Sequence, residues 1–146
     1  MIAHTIQLAL APVFVLVAIG NILNILSTRL GRIVDRARVL QQRHGETADG
    51  EHDRVVRELR KVDRRISLIG KAIAVLVVSG LAIGTTVAAL FLDELIHVDL
   101  SRVVGSLFLL AIALLMVALV MFLIETRIAA ATLRISSDYL ETHRDI

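Results

Sequence analysis

Three apolar runs, a dense stretch of positive charge and two facing hydrophobic stripes predict an all-α fold. The expected architecture is a polytopic membrane protein with three transmembrane helices, the first two extended into a cytoplasmic antiparallel helical hairpin. The runs, at about 5–26, 67–92 and 103–124, each reach the ~20 residues that a bilayer core requires, and no other segment does. With 56% of its 146 residues hydrophobic and a mean hydropathy of +0.76, the chain is too apolar for one soluble domain to bury. Lipid must solvate much of it. The whole chain, 1–146, reads as one membrane domain made of the spans, a hairpin over 29–66 and a cytoplasmic tail over 125–146.

Lys and Arg near short loops stay on the cytoplasmic side of a membrane, which orients the bundle. Of the 16 Lys and Arg, 15 lie between the first two spans, just inside the second (Lys71) or after the third. The connection from 93 to 102 holds Arg102 alone, with the acids Asp93, Glu94 and Asp99. An outer N-terminus and a cytoplasmic C-terminus follow. Against 14 Asp and Glu the net charge is only +2, so charge gives no reason to expect nucleic acid as a partner. Cysteine is absent, which excludes disulfides and thiolate metal sites. Trp is absent too and Tyr139 is the single tyrosine, so charged residues rather than aromatic belts must anchor the helices.

The first span opens on Met1-Ile2-Ala3-His4, which lacks the basic start of a signal peptide, and no small-residue cleavage site follows it. It is expected to be retained. Pro12 removes a backbone donor and should kink this helix near its outer end. Beyond the span nothing stops the helix. Leu30, Ile33, Ala37 and Leu40 carry on an apolar stripe, and Val55, Leu59, Val62, Ile66 and Ile69 answer it. Between them the stretch from His44 to Gly50 has the glycines and short polar residues of a turn, with Asp49 as a helix cap. Continuous helices over about 5–43 and 51–92 would each reach roughly 60 Å. In the second span, Gly80 and Gly84 stand four apart among Ala72, Ser79, Ala82 and Ala88, a pattern that admits a close helix contact within one subunit or between subunits. The tail from Arg127 to Tyr139 has amphipathic helical character.

On a helix that turns about 100° per residue, Gln7, Phe14, Asn21 and Thr28 share one face, with Asn24 beside them. Amides are costly in hydrocarbon, so this stripe should face a partner helix or water. It is the candidate pore lining, with Phe14 as an apolar constriction, and the alternative is that the amides bond helix to helix. Arg29, Arg32, Arg36 and Arg43 form a basic stripe where the first helix leaves the membrane, a candidate site for phosphate or anionic lipid. The plainer role of these arginines is to enforce topology and to pair with neighbours such as Asp35. Glu125, at the inner end of the third span, is expected to make an interfacial ion pair near Lys71 and Arg29. His44, His52 and Asp53 fit no established metal-ligand spacing, and no phosphate-binding glycine loop, nucleophile elbow or zinc helix is present. No metal, no cofactor and no enzymatic activity are expected.

Several segments resemble those of a bacterial family of small membrane proteins catalogued as domain of unknown function 2721. Ala11-Pro12-Val13-Phe14 is similar to the family's proline-bearing start, and the run from Arg29 to Arg38, Arg-Leu-Gly-Arg-Ile-Val-Asp-Arg-Ala-Arg, to its exit from the membrane. Arg64-Arg65 and Glu125-Thr126-Arg127 are similar as well. The resemblance implies a three-helix protein of the bacterial inner membrane and brings no catalytic residues with it.

Two functions fit these readings. In the first, a homo-oligomer places the first helices around an axis and conducts ions, with a cation preference suggested by the acidic outer loop and the neutral amides. In the second, a non-conducting scaffold binds a partner protein or anionic lipid through its basic hairpin.

Overall fold

The computed structural model describes residues 2–46, 49–96 and 99–132. They form three helices: α1 (Ile2–His44), α2 (Asp49–Ile96) and α3 (Ser101–Thr132). All three are long and apolar enough to cross a membrane. At 1.5 Å per residue they measure roughly 65, 72 and 48 Å, so each outruns a hydrocarbon core of about 30 Å. α1 passes through Pro12 without ending, and α3 carries eight residues beyond the apolar run expected from sequence. Of the amphipathic tail, the part past Thr132 lies outside the described residues.

α2 is the central helix. It packs along both neighbours, while α1 and α3 scarcely meet. Its antiparallel register with α1 is fixed by contacts that run in opposite senses: Thr5 with Glu94, Ile19 and Leu16 with Gly80, Arg36 with Glu58, and His44 with His52. Against α3 the same holds, from Ser79 bonding the Ala111 carbonyl to Arg65 meeting Glu125.

A strict period of seven underlies the packing. On α1 the buried core residues are Ile19, Leu26, Ile33 and Leu40; on α2 they include Val55, Val62, Ile69, Leu76 and Ile83. α3 contributes Ala111, Ala118 and then Glu125. Such heptads keep one face of each helix on its partner in a left-handed bundle. One seam therefore runs unbroken from the apolar halves of α1 and α2 into their charged halves, although its driving force changes along the way. In lipid it rests on close packing, and around Leu40 and Val55 on the removal of apolar surface from water, ~1.5–3 kcal/mol per fully buried side chain.

Of the small residues expected to admit a close helix contact, Ala72 and Ser79 make it within the chain, and Gly80 and Gly84 do not. A Cβ on Gly80 would meet Ile19 and Leu16 at 3.7 Å, ordinary van der Waals contact, and one on Gly84 would meet nothing within 4 Å. Ala72 and Ser79 on α2 and Ala111 and Ala118 on α3 are among the small residues buried between helices, and the Ser79 hydroxyl donates to the Ala111 carbonyl at 2.7 Å.

Candidate functional site

α1 has a second sevenfold face. Gln7, Phe14, Asn21 and Thr28 each stand two positions past a seam residue, about 200° around the helix, and so point away from α2. All four are exposed, as is Asn24, and Phe14 keeps 69% of its surface. The Thr28 hydroxyl donates to the Asn24 carbonyl at 2.9 Å, which satisfies it within the helix. No such local bond serves the amides of Gln7, Asn21 and Asn24 among the described residues. The structure thus places the five predicted residues on one outward face, in a segment whose length and composition suit a bilayer.

Glu125 lies at the opposite extreme of burial. Its Oε2 accepts from Arg29 Nη1 at 2.7 Å, and its Oε1 from Arg65 Nε and Nη2 at 3.2 and 2.8 Å. Arg29 Nη1 also donates to Thr126 Oγ1 at 2.8 Å, while the Thr126 hydroxyl donates to the Phe122 carbonyl. The Arg29 guanidinium lies over the Phe122 ring, 5.2 Å from its centre. One residue from each helix therefore meets in a buried cluster at the ends of the apolar segments. Lys71, the cation expected beside Glu125 together with Arg29, is instead exposed, and Arg65 takes its place. The reason is the heptad: Arg65 flanks the α2 seam on the side of α3, whereas Lys71, six residues on, is turned about 120° away. Arg29, Arg65, Glu125 and Thr126, which meet at this point, belong to three of the segments on which the family resemblance rests.

The basic stripe of α1 is divided. Arg29 belongs to the Glu125 cluster. Arg36 donates through Nε and Nη2 to Glu58 Oε1 at 3.2 and 2.6 Å, while Arg32 and Arg43 are exposed along the same helix. Asp35 pairs with Arg38, one turn away at 3.8 Å, rather than with Arg36. A cleft of about 660 Å³ opens beside Arg36, and its remaining walls come from elsewhere: Arg54, Arg57, Glu58, Lys61, Val62 and Arg65 of α2, and Ala131 of α3. Sequence reasoning counted these α2 cations for topology alone. The signal that would have grouped them is their spacing, since 54, 57, 61 and 65 fall on one helical face.

At the other end of the bundle the acids of the α2–α3 connection hold its backbone. Asp93 Oδ1 accepts from the Leu100 amide at 2.7 Å, and Asp99 Oδ1 from the Ser101 amide at 3.1 Å and its hydroxyl at 2.5 Å. The Ser101 hydroxyl, and then its amide, hold the Asp99 carboxyl below the usual range. Glu94 accepts from Thr5 at 3.4 Å. Near the turn, the His44 and His52 rings approach to 4.3 Å between centres, and among the described residues no three metal-binding side chains gather.

Three long apolar helices, the middle one packed along both others, define a helical membrane protein. Residues 9–135 match the profile of the family described as Protein of unknown function (DUF2721), and the chain belongs to that family. No curated protein and no solved structure matches it.

Proposed function

We propose that this chain works as a homo-oligomer in the bacterial inner membrane, with the outward face of α1 turned to a common axis and enclosing a pathway for cations. The observation that carries the reading is that face itself. An amide without a partner costs roughly 2–7 kcal/mol in an apolar medium, so Gln7, Asn21 and Asn24 are stable in a bilayer only against water or another copy. A sevenfold repeat supports the same reading, because it is the pattern by which a helix meets a second helix, and the seam opposite is already filled by α2. Three helices in one chain enclose no channel, so the pathway requires several copies around a closed symmetry axis. Neutral amides at Gln7 and Asn21 supply dipoles without fixed charge, and Phe14 sets an apolar ring between them. Asp93, Glu94 and Asp99 at the outer mouth favour cations over anions. In this orientation the charged halves of α1 and α2 project into the cytoplasm.

The test is potassium flux into liposomes, run together with the detergent-corrected mass of the particle. Wild-type protein is expected to conduct as a discrete assembly, and Asn21→Leu to abolish flux while the mass stays the same. Unchanged flux in Asn21→Leu contradicts the pathway.

A further inference from the structure

The cleft beside Arg36 is a second site, independent of whether α1 lines a pathway. Five cations line it against one carboxylate, and that carboxylate, Glu58, is held by Arg36. Arg65 is committed to Glu125 through Nε and Nη2. Arg54, Arg57 and Lys61 remain, with no carboxylate partner among the described residues. They are spaced three and four apart on one face of α2, where like charges repel and weaken the helix. A helix that stacks unpaired cations into a concavity, while Arg60 and Arg64 stay out of its lining, is arranged around a compensating anion.

We infer that this cleft binds a phosphate-bearing anion, gripped by Arg54, Arg57 and Lys61 with Arg36 at its rim. Guanidinium groups match phosphate oxygens in pairs, and Lys61 adds a point charge. A half-open cleft of about 660 Å³ falls within the size range of small-ligand sites. Its depth suits the same chemistry. Arg36 and Ala131 stand seven and six residues beyond Arg29 and Glu125, which places the cleft about 10 Å past the end of the apolar segments, at or just outside headgroup level. Two sources of phosphate reach that depth, an anionic lipid headgroup and a soluble polyphosphate. Arg65 lines the cleft and clamps Glu125 at once, so an occupant would sit one side chain away from the joint between the three helices.

The experiment uses the full chain in neutral detergent and two probes. In one arm sodium tripolyphosphate is titrated at constant ionic strength and the rise in Tm is followed. In the other, micelles carry equal phosphatidylglycerol and phosphatidylcholine, and native mass spectrometry counts the lipids retained. Binding in at least one arm is expected to weaken about tenfold in the double variant Arg57→Gln, Lys61→Gln, and separately in Arg54→Gln, but not in Arg60→Gln, Arg64→Gln. Among the described residues the three cleft positions have no ion partner, so their loss is expected to leave the bundle intact, which the Tm without ligand checks. A response to tripolyphosphate alone identifies a soluble ligand, and a preference for phosphatidylglycerol alone identifies a headgroup. Absence of binding in both arms, or equal loss in the cleft and control variants, overturns the site.

Discussion

Glu125 shows how one side chain can serve as both a liability and a device. A buried carboxylate is tolerated here because two guanidinium groups donate to it, one from α1 and one from α2, while Thr126 beside it accepts from Arg29 and helps to hold that guanidinium in place. Removing one member of such a buried set leaves charge uncompensated, at a cost of about 3–5 kcal/mol, whereas replacing the set by apolar residues of similar size is often neutral. Glu125→Gln is therefore expected to lower stability by about that amount in a denaturant titration in mixed micelles. The triple variant Arg29→Met, Arg65→Met, Glu125→Leu should recover most of it. Failure of the triple to recover would mean that the cluster contributes more than register. From sequence, the position of Glu125 at a helix end and the nearness of Arg29 were readable. Arg65 was not, because identifying it required the α2–α3 register. The clue lay in the spacing of Ala111, Ala118 and Glu125, which sets the acid on a seam otherwise lined by alanine.

Among the elements, α1 is unusual in having two heptad faces back to back. The apolar one was legible only where polar residues frame it, from Leu30 to Leu40; within the span every neighbour is apolar as well, and the periodicity disappears into the background. The polar face stood out for the opposite reason, since an amide in an apolar run is conspicuous. Small residues on α2 were less informative. Sequence grouped Gly80 and Gly84 with Ala72, Ser79, Ala82 and Ala88 without ranking them, and within the chain Ala72 and Ser79 make the tight contact, because which small residues face a partner depends on register rather than on size. Gly80 sits in ordinary contact with Leu16 and Ile19, so Gly80→Ala removes backbone freedom without a clash. It is expected to leave stability unchanged or raise it by up to about 1 kcal/mol, measured in the same titration. A loss of more than that amount would mean that α1 and α2 approach more closely than 3.7 Å allows.

For the whole molecule, span number followed from the apolar runs, because a bilayer imposes a minimum length on every crossing. What composition could not supply is the order of packing. α2 is central since it alone carries two buried faces, one of isoleucine and leucine toward α1 and one of small residues toward α3. The outward polar face of α1 follows from that arrangement, as does the proposal that copies gather around it. Because the chain has no cysteine, single substitutions give clean reporters of what each face meets. The most direct measurement is labelling of Asn21→Cys by a small cationic thiol reagent in intact membranes, beside Leu109→Cys, whose native leucine keeps 70% of its surface on α3. A hydrated axis predicts rapid modification at position 21 and none at position 109. Silence at both positions would place Asn21 in a dry contact and contradict the pathway.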